Sequence, residues 1–418
     1  MSSGNRHAEI AHILRRATFG PHPGNVEKWV EPGPEALIDS LLSGSPQRIL
    51  PAAEPAAEPG DERWDDVVKG FFTNMHSANA GLHEKMTWFW HGHLTSSDQK
   101  GGPLAIYRQH KLVRSLALGN FRELLRRITI DAAMLRWLDG NESRGDAPNE
   151  NYSRELMELF TLGPGNYSEA DVRAGAKLLA GWEAHWPSQI VRFRPASAYK
   201  GKVRFLGRKI RAGKESYSRV VDAVCDHPKC APFIASKIHE FLIGVAPDPV
   251  RTDKLAEVFR DSGLEILPLL REIMTHPDFL NLRLNRPRYA IEWTTAAAAV
   301  LGRSSQANIW AMTPLGQTPF RPPNAAGWPP ASSYLSSQQM LSRLDVLGWN
   351  WTEENSALGQ RLINSDDPAE EVLQIASLYE VSDTTRAGLV SAARRAQPWD
   401  IPNTMLRLAL TSPEFVIA

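Results

Sequence analysis

The chain has 418 residues, which is enough for one large domain or for two closely packed ones. Lysine and arginine total 47, and aspartate and glutamate also total 47, so the balanced charge argues against a nucleic-acid partner, which would need a basic surface. The two cysteines, Cys225 and Cys230, are too few for a disulfide framework or a cysteine zinc site, and we expect free thiols.

Apolar residues recur at helical spacing along most of the chain, which predicts an all-α fold. The longest apolar stretch, residues 294–301, is far shorter than the roughly 20 residues that cross a bilayer, so we expect a soluble protein without a membrane partner. The proline-rich residues 51–60 are predicted to form a surface loop. In chain order, helices are predicted at about residues 8–17, 34–42, 61–72, 82–91, 104–118, 121–129, 132–138, 149–163, 168–179, 217–225, 229–242, 251–262, 266–275, 287–301, 336–347, 383–396 and 404–411.

Two segments depart from the helical pattern. Near residues 190–207 apolar and charged residues alternate, in the runs 191–193 and 203–205, which predicts one small β-hairpin that turns at residues 199–201. Residues 313–333 are rich in proline and glycine, which excludes regular structure, but they are also rich in aromatic residues. We therefore predict a long ordered loop that lies over a core or a site.

Residues 149–163 are predicted to form a helix that combines a leucine stripe with a cluster of charge. Glu150 and Arg154 are four residues apart, the spacing of an ion pair along one helix face. Glu155 points closer to the leucines and is expected to be the buried acid of the segment. We predict Glu150 and Glu155 as catalytic acid–base candidates, with Arg154 orienting an acid or binding an anionic group. The alternative is a structural ion-pair network.

Two histidines, His91 and His93, lie on either side of Gly92 near the end of a predicted helix. If Gly92 ends that helix, the two imidazoles converge on one site, and Glu155 would complete a three-ligand metal set with an open position. Two histidines and a carboxylate suit Zn²⁺ or non-haem Fe²⁺. The alternative is that both histidines are hydrogen-bonded core residues among the neighbouring tryptophans.

The sequence is rich in tryptophan, with 13 residues, and several of them lie beside histidines or prolines. Aromatic faces of this kind stack on planar or sugar-like ligands, although aromatic residues more often belong to a core. No motif typical of serine hydrolases, nucleotide hydrolases or dinucleotide-binding enzymes occurs. The candidates for binding a substrate are Trp88, Trp90, Gln317, Asn324 and Trp328.

Several motifs, taken together, carry a family resemblance. They are His12-Ile-Leu-Arg-Arg-Ala-Thr-Phe-Gly20, Glu84-Lys-Met with Phe89-Trp-His-Gly-His93, residues 149–163, His227-Pro with Phe233-Ile-Ala-Ser-Lys237, Gly316-Gln317 with Pro322-Pro-Asn and Gly327-Trp328, and Ser412-Pro-Glu-Phe415. Through them the chain resembles, over nearly its whole length, the bacterial family catalogued as domain of unknown function 1800. The resemblance implies one family-length helical unit, residues 1–418, with residues 190–211 as a hairpin insertion, and it implies no particular activity.

Two departures from the family pattern bear on function. Relatives often carry export signals, whereas this sequence starts directly at the first family motif, so we expect a cytoplasmic protein. The family hairpin usually begins with histidine and aspartate, where this chain has Ala198 and Tyr199. Any site that those two residues serve in relatives is therefore expected to be altered here.

We expect an enzyme of an uncharacterised family, with a histidine and glutamate site in a helical cleft, that acts as a metal-dependent oxidoreductase or hydrolase on a small molecule. Two alternatives stay open. In the first, metal-free carboxylates perform acid–base chemistry on a carbohydrate-like substrate. In the second, the protein is a non-catalytic binding or scaffold protein, and the same charges form a buried network.

Overall fold

The computed structural model describes residues 3–44, 54–58, 62–77, 81–304, 306–348 and 356–417, and it confirms the all-α class. None of the helices in this part of the chain combines the length and the apolar composition that a membrane span requires. In the first half of the chain the helices are α1 (Ser3–Ala17), α2 (Asn25–Val30), α3 (Pro34–Ser43), α4 (Glu62–His76), α5 (Leu82–His93), α6 (Asp98–Gly101), α7 (Pro103–Leu116), α8 (Phe121–Thr129), α9 (Ala132–Trp137), α10 (Asn151–Glu158) and α11 (Glu169–Leu179). In the second half they are α12 (Ser216–Cys225), α13 (Cys230–Ile243), α14 (Pro249–Asp261), α15 (Ile266–Met274), α16 (Pro277–Asn281), α17 (Ala290–Val300), α18 (Gln306–Met312), α19 (Ser337–Gly348), α20 (Ala357–Ile363), α21 (Pro368–Ile375), α22 (Asp383–Arg395), α23 (Ile401–Thr411) and α24 (Pro413–Val416).

The small β element consists of two antiparallel hairpins rather than one. Strand β1 (Trp182–His185) pairs with β2 (Ile190–Phe193), and β3 (Lys202–Phe205) pairs with β4 (Arg208–Arg211). The predicted pairing of residues 191–193 with residues 203–205 is therefore wrong, although both runs are strands. The second hairpin closes at residues 206–207, where both φ angles are positive, 44° and 78°, as two-residue hairpin turns require.

Helices α5 and α17 form the centre of the core. All 11 residues of α17 are buried, and so is α5 from Leu82 to His91. The indole of Trp293 on α17 donates to the carbonyl of Leu410 at 2.9 Å, which joins α17 to α23. Because α5 and α17 are surrounded by protein, every polar side chain on them needs a partner inside the core.

The segment 313–333 lacks regular structure until the short 3₁₀ helix at Ala331–Leu335, as predicted. Phe320 anchors it, since its ring centroid lies 4.8 Å from that of Phe71 in the core. At Gly327, where φ is 89°, an added Cβ would lie 2.5 Å from the carbonyl oxygen of Gly92. The close approach of this loop to α5 therefore requires glycine.

The predicted surface loop at residues 51–60 falls only partly within the described residues. Residues 54–58 lie outside regular structure, and the remainder of the loop lies outside the described ranges. Glu54 accepts a hydrogen bond from Arg108 at 2.8 Å, and Glu58 accepts one from the indole of Trp186 at 3.1 Å. These contacts attach the loop to α7 and to the first hairpin. That residues 1–418 form one unit stays a prediction.

Candidate functional site

Helix α10 presents two of the predicted catalytic residues at the protein surface. Arg154 donates to both carboxylate oxygens of Glu169 on α11, at 2.6 and 2.9 Å, and to Glu150 at 3.4 Å. Solvent-exposed ion pairs of this kind contribute between zero and about 1 kcal/mol. Glu150 and Arg154 thus take part in a surface ion-pair network that joins α10 to α11, which agrees with the structural alternative.

Glu155, the third predicted residue of this helix, is partly buried. Burial and the neighbouring carboxylate of Glu158 raise the pKa of Glu155, and Arg154 opposes them only in part. Glu158 itself accepts a hydrogen bond from the hydroxyl of Tyr167. Among the described residues, none forms a hydrogen bond or ion pair with the Glu155 carboxylate. It is an acid without a fixed partner.

The two histidines of the predicted metal site have separate partners. His91 Nε2 lies 2.9 Å from Nδ1 of His110 on α7, so one imidazole donates and the other accepts. His93 Nε2 donates to the carbonyl of Phe160 at 3.0 Å. Burial lowers the pKa of His91 and that of His93 to about 4. Both side chains are therefore neutral, hydrogen-bonded residues at pH 7, as the core alternative expected.

The predicted metal set of His91, His93 and Glu155 does not assemble. In the part of the chain that the structure describes, no three histidine, cysteine, aspartate or glutamate side chains lie close enough to hold a metal ion. The physical reason is that Gly92 does not end the helix, because α5 continues through His93. Residues two apart on a continuous helix point about 200° away from each other.

The five predicted substrate-binding residues do not form one surface. Trp88 and Trp328 contact each other, with ring centroids 4.9 Å apart. Trp90 instead donates to the carbonyl of Ala117 inside the core. Asn324 is exposed, and its side-chain oxygen accepts a hydrogen bond from the backbone N–H of Ala326 in the same loop. Gln317 is fully buried and accepts a hydrogen bond from the backbone N–H of Ile291, at the start of α17, at 2.9 Å.

A buried ion-pair network connects the start of α17 with α5. The carboxylate of Glu292 accepts two hydrogen bonds from Arg286, each 2.9 Å long, and another from Lys85. Burial alone would raise the pKa of Glu292, but Arg286 and Lys85 hold it well below its usual range. Burial also lowers the pKa of Lys85 to about 7, against the attraction of Glu292. The carboxylate also accepts a hydrogen bond from the backbone N–H of Tyr289 at 3.0 Å. It therefore has both cations and a backbone donor as partners.

Four more arginines lie around that network, and none of them has a carboxylate partner within hydrogen-bond distance among the described residues. Their exposed fractions range from 0 to 8%. Seven of their guanidinium nitrogens are buried without a hydrogen-bond acceptor in the described part of the chain. We call these residues the arginine cluster: Arg15 and Arg16 of α1, Arg288 before α17, and Arg343 of α19.

The contacts of the arginine cluster satisfy it only in part. Arg15 donates to the carbonyl of Ser377, and Arg16 donates to the side-chain oxygen of Asn285. These bonds leave Nε of Arg15, and both Nε and Nη1 of Arg16, without an acceptor among the described residues. Burial, together with the charge of Arg286, lowers the pKa of Arg16 well below its ordinary value. The α1 side of the cluster therefore carries more charge than its partners compensate.

The other two arginines pack against aromatic rings. The guanidinium carbon of Arg288 lies 4.4 Å from the ring centroid of Phe415, and that of Arg343 lies 5.6 Å from the ring of Trp293. Burial and the charge of Arg15 lower the pKa of Arg288 to about 9, and burial lowers that of Arg343 to about 10. Both side chains therefore stay charged at pH 7.

A small cavity with a volume of about 20 Å³ lies between the end of α1 and α17, and none of the four arginines is among its lining residues. Thr18, Gly20, His22 and Thr295 are among the residues that line it. A Cβ atom on Gly20 would lie 3.9 Å from Nη1 of Arg288, so this unpaired nitrogen lies near the cavity wall. The volume suffices for about one water molecule.

Sequence reasoning missed the arginine cluster. The available signal was a pair of arginines, at positions 15 and 16, that directly follows the apolar residues Ile13 and Leu14. Arginine is seldom fully buried unless it is paired. The remaining members come from positions 288 and 343, and periodicity in one segment says nothing about such distant neighbours.

A family model described as "Protein of unknown function (DUF1800)" matches residues 12–417. No curated protein and no solved structure matches the chain. Four residues of the charged core, Arg15, Arg16, Lys85 and Gln317, lie in the motifs that carry the resemblance to this family. Because the match covers nearly the whole chain, the protein belongs to the DUF1800 family.

Proposed function

We propose that this protein binds an anionic small molecule and that the arginine cluster is its receptor. The observation that carries the proposal is the buried guanidinium of Arg343, whose Nε, Nη1 and Nη2 all lack an acceptor among the described residues. Roughly 90% or more of buried polar groups in proteins are hydrogen-bonded, and a bound ion is one accepted explanation for an exception. An anion supplies the acceptors that these nitrogens lack.

The energetic argument supports the same function. Burying one unpaired ion costs several kcal/mol even after the protein relaxes. Folded proteins are stable by only about 5–15 kcal/mol in total, so four such arginines would consume much of that margin. Lys85 and Arg286 avoid the cost because both bind Glu292. A bound anion would stabilise the folded chain by neutralising the remaining cations.

An acid–base enzyme is the second candidate function, and Glu155 favours it. A partly buried carboxyl with a raised pKa is able to act as a general acid, and Glu158 supplies a second carboxylate nearby. This version of the enzyme prediction needs no metal. It is compatible with the first proposal, since Glu155 lies on α10 and the arginine cluster surrounds α17.

The anion content of the purified protein tests the first proposal. Protein exchanged into a dilute zwitterionic buffer is denatured, and the released anions are quantified by ion chromatography. We expect stoichiometric anion from the wild type and its loss from the double variant Arg288→Gln/Arg343→Gln. The matched control is Arg271→Gln, which removes an exposed arginine that pairs with Asp39 and should retain the anion.

An exchangeable ligand would escape that measurement, so thermal unfolding with added chloride, acetate, phosphate and sulfate completes it. A ligand that binds only the folded state raises the melting temperature in proportion to its binding free energy. The proposal fails if the wild type retains no anion and if none of the four added anions increases the melting temperature of the wild type by more than it increases that of the double variant.

A further inference from the structure

We infer that the ligand of the arginine cluster carries a doubly charged tetrahedral oxyanion, a phosphate or sulfate group, rather than a single carboxylate. The inference rests on the proposed function and names the chemical class of its ligand. It depends on three separate features of the cluster: its uncompensated charge, its number of unpaired donors, and the arrangement of the elements that carry them.

The charge of the cluster exceeds what one negative charge balances. Glu292 is already bound by Lys85 and Arg286. Glu380, the other carboxylate whose charge reaches Arg15, forms its own ion pair with Arg283 at 2.7 Å. No carboxylate in the described ranges pairs with Arg15, Arg16, Arg288 or Arg343, so four guanidinium groups lack a paired counter-charge. A monoanion would leave three of them without compensation, and a dianion would leave two.

The unpaired donors also exceed what a carboxylate accepts. Seven guanidinium nitrogens of the cluster lack an acceptor among the described residues. A carboxylate offers two oxygens with about four acceptor positions in all. A phosphate group offers three strong acceptor oxygens even as an ester, and sulfate offers a fourth. The number of donors therefore favours the tetrahedral oxyanion.

The cluster draws its arginines from separate elements around one end of α17. Arg16 comes from α1, Arg288 from the segment just before α17, and Arg343 from α19. Neutral donors lie at the same end: Nε2 of Gln317 and the hydroxyl of Tyr334 are buried and without a partner among the described residues. The N–H donors of a guanidinium group form a planar fork that matches the geometry of phosphate and sulfate oxygens.

Isothermal titration of the full-length protein at constant ionic strength tests the inference. The probes are sodium sulfate, inorganic phosphate, glycerol phosphate and sodium acetate. We expect sulfate and phosphate to bind at least ten times more tightly than acetate. A phosphate ester loses its second charge with a pKa near 6, so glycerol phosphate should bind several-fold more weakly at pH 5.5 than at pH 7.5. Sulfate keeps both charges over this range, so its change in affinity reports only the titration of protein groups such as Lys85, and glycerol phosphate should weaken relative to sulfate.

The same titration distinguishes the source of the group. Tighter binding of glycerol phosphate than of inorganic phosphate indicates an ester as the natural ligand, and the reverse order indicates the free ion. Acetate that binds as tightly as sulfate would overturn this inference while leaving the proposed function in place. If no probe binds and no anion is released from the denatured protein, both proposals fail together.

Variants locate the binding to the cluster. Arg343→Gln should weaken sulfate binding at least tenfold, whereas Arg271→Gln at the surface should leave it unchanged. The Arg343 side chain makes no hydrogen bond among the described residues, so its replacement breaks none, and circular dichroism checks the fold. If the glutamine variant does not fold, Arg343→Lys serves instead, because it keeps the charge but loses the planar donor fork. Unchanged sulfate affinity in either variant, once folded, contradicts the assignment.

Discussion

Glu155 and Glu292 lie on helices of the same molecule, yet their surroundings move their pKa values in opposite directions. Burial and a second carboxylate raise the pKa of Glu155, whereas two cations hold that of Glu292 well below its usual range despite burial. Ionisation of Glu155 in the folded protein is therefore electrostatically unfavourable. Glu292 gains stabilisation from the same event. Glu155 is therefore the candidate for acid–base chemistry, whereas Glu292 stabilises the packing of α5 against α17.

Replacing Glu155 by glutamine should stabilise the protein at neutral pH. An acid whose pKa is higher in the folded than in the unfolded state binds protons on folding. Its contribution to the free energy of unfolding is therefore unfavourable at a pH above both pKa values, and it is absent at a pH below the unfolded pKa of about 4.3. We expect Glu155→Gln to gain at most roughly 0.5 kcal/mol at pH 7, because solvent screens a partly exposed group. At pH 3.5 the gain should vanish. Urea unfolding of the variant and wild type at both pH values measures it.

Glu150→Gln is the matched control on the same helix. Glu150 is paired with Arg154 at the surface, so its replacement should change stability by no more than a few tenths of a kcal/mol, toward loss. Destabilisation by Glu155→Gln at pH 7 would show that its carboxylate has a stabilising partner, and the second candidate function would lose its supporting observation.

At the scale of the elements, Glu292 connects α5, α17 and the segment before α17. Glu292→Gln leaves Lys85 and Arg286 buried without a counter-charge, and breaking a buried ion pair in this way typically costs about 3–5 kcal/mol. We expect a loss of that size, measured by urea denaturation with tryptophan fluorescence. The control is Glu257→Gln on α14, which removes an exposed pair with Lys254 and should leave the urea midpoint nearly unchanged. Equal losses in the two variants would contradict the role assigned to Glu292.

Helix positions were predictable from the sequence, because one apolar stripe per helix is a local property. The helix predicted at residues 82–91 is α5, and the one predicted at residues 168–179 is α11, whose start is capped by Ser168. Pairing between strands was less predictable. Strand β4 is mostly charged, so its partnership with β3 leaves no clear alternation in the sequence.

The candidate site was less predictable than the helices, for two physical reasons. The metal hypothesis assumed that Gly92 ends a helix, but glycine only permits an ending, and α5 continues because its neighbours bury it. The arginine cluster depends on packing among α1, α17 and α19, and such tertiary contacts leave no periodic trace in any one segment. The family motifs nevertheless include three residues of the proposed site and its surroundings, Arg15, Arg16 and Gln317.

For the whole molecule, equal numbers of basic and acidic residues conceal an uneven distribution. The chain has 47 of each, yet the core around α17 holds an excess of arginine. The acids of the resolved ion pairs lie mostly at the surface, as in the pairs of Glu169 and Asp39. That the balanced charge disfavours a general polyanion-binding surface stays a prediction, and net charge carries no information about a single buried site.

Five buried or partly buried histidines make the stability of the fold sensitive to acid. They are His12, His22, His91, His93 and His110. Burial lowers the pKa of His22, His91 and His93 to about 4, and it lowers those of His12 and His110 well below the ordinary value of 6.5. Between about pH 6.5 and pH 4 the unfolded chain therefore binds protons that the folded chain does not. Their contribution to stability is fully present above pH 6.5 and is lost as the pH falls through this window.

We expect the free energy of unfolding to fall by roughly 1–2 kcal/mol per buried histidine between pH 7 and pH 5, as read from urea midpoints. His91→Gln should show a shallower slope than the wild type, whatever its stability at pH 7, because glutamine does not titrate. A midpoint that stays constant from pH 7 to pH 5 would mean that the folded protein accepts these protons. Protonation would then make His91 and His110 two adjacent imidazolium ions, which repel each other. Their hydrogen bond as a pair of neutral rings could not persist at pH 5.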